Sequence, residues 1–183
     1  MAHYEAGPGD LELIVDTFSE GIGARMAYDV TVRCSELNVS ADVDPETPES
    51  LTGSVEIPIA AFVAHALYRN KSRRPADLSS SDARQIGEKS RDKLREAFGS
   101  HIRMKLKAER RSADSVVLAE VEGASTTLRV NVSATPKDGV LELSGRGEAS
   151  LSKLGVPKVK APLGLMVVAD RVELKLSGKL RLA

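Results

Sequence analysis

The chain carries few side chains with catalytic chemistry, and their spacing predicts no catalytic or metal site. His3, His65 and His101 lie far apart, and none has a histidine, cysteine or carboxylate partner at the spacing of metal ligands. Cys34 falls within an alternating strand pattern and is interpreted as a small buried hydrophobe rather than a nucleophile. No serine occupies the strand-turn-helix motif of a hydrolase. We therefore expect a protein that is not an enzyme and that needs neither a metal nor another cofactor.

The glycine and arginine motifs predict turns and loops rather than phosphate-binding sites. Gly21-x-Gly23 and Gly145-x-Gly147 lack the third glycine and the following helix of a dinucleotide site. The basic run at residues 69–74 (RNKSRR) could contact phosphate, but a run of this kind is usually a solvated loop. We expect no dinucleotide cofactor from these motifs.

Composition limits the classes of partner and the compartment. Among 183 residues, 26 Lys plus Arg balance 26 Asp plus Glu, so no net field attracts nucleic acid. Residues 1–10 lack a basic start followed by an apolar run, and no apolar stretch approaches the roughly 20 residues that span a bilayer. We expect one soluble domain over 1–183, with residues 1–10 flexible. It would be cytoplasmic, or periplasmic if a signal has been removed.

Residues 102–182 alternate apolar and polar side chains, which is typical of an antiparallel sheet that shelters one face from water. The pattern predicts five strands, at 102–109, 116–122, 126–134, 140–151 and 171–182. The Asp138-Gly139 pair predicts a hairpin turn between the third and fourth of them. Gly145 and Gly147 predict a bulge or a sharp coil within the fourth.

The first third of the chain predicts further strands, at 11–18, 22–34 and 37–43. The last two are adjacent and fit a hairpin, and alternation in the first of this pair places Tyr28 inside and Asp29 outside. Residues 44–50 contain two prolines and are interpreted as a loop. A short strand follows at 55–59, and residues 62–67 are expected to form a turn or an irregular segment.

One long helical pattern interrupts the strands, at residues 81–98. A serine at 79–81 supplies the N-cap, Asp82 complements the helix dipole, and Gly99 is a natural C-terminal stop. We expect this helix to lie across the sheet or to close one end of a barrel, with 154–164 as a lid-like loop. Eight to nine strands are enough to close a mainly β, antiparallel, lipocalin-like barrel. With 3% aromatic residues, the interior is either hollow or packed by aliphatic side chains.

Several segments, taken in order, are similar to one known family. They are 27–30 (AYDV), 76–86 (ADLSSSDARQI), 94–102 (LREAFGSHI), 122–126 (EGAST), 152–156 (SKLGV) and 163–164 (LG). Together they resemble the YceI-like family of lipocalin-like, polyisoprenoid-binding proteins, over most of the chain. The resemblance implies a soluble, bacterial-type barrel that holds a long isoprenoid chain or another amphiphile along its axis.

The leading hypothesis is a carrier that encloses a polyisoprenoid or fatty-acyl lipid. The candidate lining residues are Met26, Tyr28, Val30, Ile57, Ile59, Met104, Leu106, Val130, Leu143 and Met166. The alternative is a structural or protein-interaction module whose barrel is filled by its own side chains, with the helix or residues 69–74 contacting the partner. A homodimer is left open.

Overall fold

The computed structural model describes residues 1–44, 47–69, 74–109, 115–160 and 167–183. Over these residues the protein is mainly β, with one α-helix, α1, at Ser80–Phe98. The strands are β1 Ala2–Ala6, β2 Leu11–Asp16, β3 Ser19–Glu20, β4 Tyr28–Cys34, β5 Asn38–Asp44, β6 Thr47–Pro58, β7 Val63–Arg69, β8 Pro75–Ala76, β9 His101–Glu109, β10 Val116–Val121, β11 Thr127–Lys137, β12 Val140–Ser150, β13 Val167–Val168 and β14 Arg171–Leu182. Short 3₁₀ helices lie at Ile22–Met26 and Ile59–Ala61.

Eight strands form a closed antiparallel ring in the order β1-β5-β6-β9-β10-β11-β12-β14. The ring closes where Tyr4 of β1 pairs with Leu182 of β14 and Glu5 pairs with Arg181. Because closure removes the unpaired edges of a sheet, these eight strands form a true barrel. The predicted antiparallel barrel of about eight strands with one inserted helix is confirmed.

A second group of strands, β2-β4-β7-β8, branches from the ring at β14. β14 pairs with β2 over Glu173–Gly178 and then with β1 at Arg181 and Leu182, so two strands share one edge of β14. The exchange takes place at Gly178, where φ is 139°. A Cβ atom at this position would overlap the carbonyl oxygen of Asp10 and lie 2.8 Å from the Cα of Leu11. Only glycine fits this branch point without strain.

Helix α1 begins and ends at the residues that the sequence predicts as caps. The Ser79 side chain accepts a hydrogen bond from the Asp82 N–H at 3.1 Å, and Gly99 follows the helix with φ 73°. The helix packs on β7 and on the 3₁₀ turn before it. Arg91 donates a hydrogen bond at 2.8 Å to the Phe62 carbonyl in that region. The helix therefore lies between the branch and the ring.

The hairpin predicted between β4 and β5 is wrong. β4 pairs with β2 and β7, whereas β5 pairs with β1 and β6. The intervening residues cross from the branch to the ring, and the Gly9 N–H donates to the Ser35 carbonyl at 2.6 Å to hold this crossing. Leu37, at its end, is buried in the core. Adjacent strands usually pair, and the branch at β14 overrides that tendency here.

Three further segments are more regular than expected. Ala2–Ala6, expected to be flexible, forms β1 and buries Tyr4. Residues 47–50, expected in a loop, belong to β6, which pairs with β9 only from Thr52 to Pro58. Pro48 therefore lies where β6 lacks β9 as a neighbour, and a proline is tolerated there. Val63–Arg69, expected to be irregular, forms β7.

Of the two predictions for turns and glycines in the C-terminal half, the hairpin turn is confirmed and the bulge is wrong. Asp138 (φ 51°) and Gly139 (φ 78°) form the hairpin turn between β11 and β12, as predicted. Gly145 and Gly147 were predicted to form a bulge or a sharp coil, and the bulge is wrong, because β12 pairs with β11 and β14 without a register shift.

Candidate ligand-binding cavity

A cavity of about 810 Å³ is enclosed by strands of the ring, by β2 and β4 of the branch and by helix α1. Its walls are built from alternate residues of the strands, because side chains on a strand point to opposite faces in turn. On β9 these are Ile102, Met104, Leu106 and Ala108, and on β11 they are Leu128, Val130, Val132 and Ala134. Almost all lining side chains among the described residues are apolar.

The interior is hollow because small residues stand at positions where larger side chains would fill the barrel. Gly145 and Gly147 lie on the inward face of β12 but do not open the cavity, because an added Cβ would lie 3.2 Å from Val130 Cγ1 and 2.8 Å from the Arg129 carbonyl oxygen, respectively. Alanines occupy other inward positions, and the aromatic lining residues in the described part are Phe62 and Phe98. An eight-stranded barrel is just wide enough to be filled by side chains or to hold one small ligand. The inward alanines and the scarcity of aromatic side chains leave space inside the barrel.

Helix α1 forms one wall at one end of the cavity. Ile86, Ser90, Leu94 and Phe98 recur at helical spacing on the face that lines it. Lys89 and Lys93 border this face and also line the cavity. Sequence reasoning missed both lysines, and the available signal was two cations four residues apart beside the apolar stripe.

The lid-like loop predicted at 154–164 lies partly outside the described residues. In its described part, Leu154, Val156 and Val159 line the cavity. The Lys89 Nζ donates a hydrogen bond at 2.7 Å to the Lys160 carbonyl, which ties this segment to helix α1.

Two glutamates line the cavity at the opposite end from helix α1. β6 and β9 are antiparallel, and the end of β6, at Pro58, pairs with the start of β9, at His101, directly after the helix. The start of β6 and the end of β9 therefore lie together at the far end of the barrel. Glu49 and Glu109 lie there. Eight residue steps of β9, from His101 to Glu109, at about 3.3 Å each, separate the two ends by roughly 26 Å along the strand. Glu109 forms an ion pair with Arg129.

Six of the ten predicted lining residues lie on the cavity wall. They are Val30, Ile57, Met104, Leu106, Val130 and Leu143. Ile59 does not line the cavity; it belongs to the second 3₁₀ helix and is fully buried. Met26 lies in the first 3₁₀ helix, and its side chain is not described. Met166 lies outside the described residues, as do residues 70–73 of the basic run.

The positions predicted for Tyr28 and Asp29 are wrong. Tyr28 is the first residue of β4, beyond the cavity wall, and is 43% exposed. Asp29 is 3% exposed and accepts a hydrogen bond at 2.9 Å from the Ser19 N–H. The outer face of β4 is therefore covered by the preceding segment, whereas the alternation rule assumed that this face is wet. Thr31, the next residue on this face, donates to the buried carboxylate of Asp16 at 2.8 Å.

His3 has the carboxylate neighbours that its sequence spacing did not predict. Its Nδ1 lies 2.8 Å from Asp42 Oδ1, and its Nε2 lies 3.3 Å from Glu5 Oε1 and 3.4 Å from Ser40 Oγ. Hydrogen bonds with Asp42 and then with Glu5 raise the pKa of His3 above 6.5. His3, Asp42 and Ser40 are the residue types of a hydrolase triad, but such a triad also needs N–H donors that stabilise an oxyanion. Ser40 lies within a strand that pairs with a neighbour on each side, so its backbone N–H group is used in the sheet. We therefore interpret the group as a cross-strand polar cluster.

The reactivity of Cys34, the single cysteine of the chain, is limited by its burial. Cys34 is buried, and desolvation raises the pKa of its thiol, so the nucleophilic thiolate is disfavoured. Within the described ranges, no three His, Cys, Asp or Glu side chains come close enough to hold a metal ion. The part of the chain that the structure describes also contains no helix long and apolar enough to cross a membrane.

Comparisons with known proteins support the fold. No protein-family model matches the chain, and a search of curated proteins finds no match. Among solved structures, the chain is similar to the crystal structure of Burkholderia cenocepacia BcnA. The TM-score is 0.61 at 11% sequence identity, over 93% of this chain and 94% of BcnA. At this identity the likeness shows a shared fold.

Proposed function

We propose that this protein is a non-enzymatic carrier that encloses a polyisoprenoid or fatty-acyl lipid in its barrel. The observation that carries the proposal is the apolar cavity of about 810 Å³. Ligand sites in proteins generally measure about 300–1,000 Å³ and are lined mainly by apolar side chains with a few polar groups. The resemblance of the sequence to YceI-like proteins favours the same class of ligand.

Burial of the lipid chain supplies the free energy of binding. Each methylene moved from water into an apolar site contributes about 0.8 kcal/mol, so ten enclosed carbons contribute roughly 8 kcal/mol. That value corresponds to a dissociation constant of about 1 μM, before the cost of ordering the ligand is subtracted. Binding of this strength needs no catalytic group. A barrel that served only as an interaction module would be filled by its own side chains, and the hollow interior argues against that alternative.

The first experiment identifies the bound material. Purified protein is extracted with organic solvent, and the extract is examined by mass spectrometry for isoprenoid and fatty-acyl lipids. We expect one of these classes in stoichiometric amount. A second arm titrates delipidated protein with a fluorescent fatty-acyl probe. A lipid-free extract together with no probe binding refutes the carrier function.

Two tryptophan variants test whether the ligand occupies the cavity. Val130→Trp places an indole inside the barrel, and Asn131→Trp places one on the exposed outer face of the same strand. The native chain has no tryptophan, so each indole also reports its own environment. We expect Val130→Trp to fluoresce at shorter wavelength and to bind the probe at least about tenfold more weakly, which is about 1.4 kcal/mol. Asn131→Trp should bind like the native protein, and equal binding by both variants contradicts a ligand in the barrel.

A further inference from the structure

The charged residues that line the cavity are separated by sign between its two ends. Within the described residues they are Lys89 and Lys93 at the helix α1 end, and Glu49 and Glu109 at the far end. The chain as a whole has no net charge, so this separation is a local property of the cavity. An amphiphile with a charged head would therefore meet two different electrostatic environments at the two ends.

Lys89 and Lys93 are neighbours along helix α1, and both line the cavity. They are four residues apart, which puts them on neighbouring turns of the same helix face. Lys89 donates to the Lys160 carbonyl at 2.7 Å, and Lys93 donates to Glu96 Oε1 at 2.8 Å. An ammonium has three donors, and each of these contacts uses one of them. Both groups keep donors for a ligand.

The partners of the two lysines leave positive charge at the rim. Lys89 contacts an uncharged carbonyl oxygen, and in the described part of the chain it has no ion pair with a carboxylate. Glu96, the partner of Lys93, is 51% exposed, so this ion pair is weakened by solvent. At the far end, the exposed Glu49 carboxylate disfavours a second anion. Glu109 at the same end pairs with the Arg129 guanidinium.

We propose that the ligand is an amphiphile with one apolar chain and an anionic head, either a carboxylate or a phosphate. The head binds Lys89 and Lys93 at the helix α1 rim, and the chain extends through the barrel towards Glu49 and Glu109. Charge-assisted hydrogen bonds from the two ammonium groups set the orientation and select the head. This inference rests on the carrier function proposed above and adds the class and direction of the ligand.

The test compares three ligands that share one chain and differ in the head. Hexadecanoic acid, hexadecyl phosphate and hexadecanol each displace a fluorescent fatty-acyl probe from delipidated protein at neutral pH. The native protein should bind the two anions about tenfold more tightly than the alcohol, a ratio that corresponds to one or two partly exposed charge-assisted contacts. The ratio between acid and phosphate distinguishes the two head groups.

Two matched double variants test whether Lys89 and Lys93 cause the preference for an anionic head. Lys89→Gln with Lys93→Gln removes two cations that line the cavity, while Arg84→Gln with Arg95→Gln removes two cations from the exposed face of the same helix. The lysine variant should bind all three ligands with the affinity of the alcohol, whereas the arginine variant should keep the tenfold preference. Circular dichroism and alcohol binding show that each variant is folded.

The outcomes separate this inference from the carrier function. If the native protein binds acid, phosphate and alcohol equally, the anionic head is refuted and the carrier function stands. A preference that survives in the lysine variant refutes the assignment to Lys89 and Lys93. If none of the three ligands binds, this inference is refuted, and the carrier function is overturned with it when the solvent extract is also lipid-free.

Discussion

Gly178 fixes the point at which β14 changes partner, and its replacement by alanine is a sharp test of the barrel closure. The residue has φ 139°, in a region that favours glycine. An added Cβ would overlap the Asp10 carbonyl oxygen and approach the Leu11 Cα to 2.8 Å. Both neighbours are backbone atoms, so relief requires movement of β2 or of the segment before it.

The expected loss of stability has two sources. A non-glycine residue in an unfavourable backbone region costs roughly 1–3 kcal/mol. Overpacking against atoms that cannot move freely costs roughly a further 1–3 kcal/mol. We therefore expect Gly178→Ala to lower the free energy of unfolding by about 3 kcal/mol. For a chain of this length, the melting temperature should fall by roughly 6–12 °C.

Two other glycines separate backbone strain from the steric clash. Gly99 has φ 73°, but an added Cβ would meet nothing within 4 Å. Gly7 has neither an unfavourable φ nor a close neighbour. Urea denaturation should show a loss of about 1 kcal/mol for Gly99→Ala and less than about 0.5 kcal/mol for Gly7→Ala. If Gly178→Ala loses no more stability than Gly99→Ala, the close approach at the branch point is refuted.

Three further predictions concern groups outside the cavity. Lys175→Met removes the ammonium that donates to the buried Asp16 carboxylate at 2.6 Å, and urea denaturation should show a loss of about 2 kcal/mol; an unchanged midpoint contradicts this. Folding raises the pKa of His3, so its contribution is complete below the unfolded value near 6.5 and disappears as the pH rises through the folded pKa. The stability difference between the native protein and His3→Gln should therefore shrink from acid to alkaline pH, and a difference that grows refutes the contacts with Asp42. Cys34 should react with a thiol reagent only on unfolding, and rapid labelling of folded protein would show that it is accessible.

The C-terminal half could be predicted from its sequence because each strand there has one face exposed to solvent and one face turned to the barrel interior. Arg103, Lys105 and Lys107 are exposed on β9 between the apolar residues that line the cavity, so both the strand and its inward face were readable. The inward positions of Val130 and Leu143 follow from the same rule. Helix α1 was equally readable, because its capping serine and terminal glycine are local signals.

The N-terminal half could not be predicted to the same extent because β1, β2 and β4 pair with distant segments and β4 is covered on both faces. Val63–Arg69 packs against helix α1, and its pairing with β4 shifts register between Thr31 and Val32, so one regular alternation does not run through it. Asp29 is polar yet buried, since the segment around Ser19 covers it. The exchange of partners at Gly178 depends on contacts between distant segments. Local sequence patterns do not encode such contacts. For the same reason, the position of Lys89 and Lys93 beside the cavity follows only from the three-dimensional structure.

The position of β14 as the partner of β1, β2 and β12 has a consequence for how the protein is made. β14 is synthesised after β1, β2 and β12. Each of these three strands therefore presents an unpaired edge until β14 emerges from the ribosome. Exposed edges of this kind recruit other chains and promote aggregation. The pairing of Tyr4 with Leu182 also joins the most distant parts of the sequence, and contacts of such long range form slowly. Loss of β14 alone should therefore convert the closed barrel into an open sheet that aggregates.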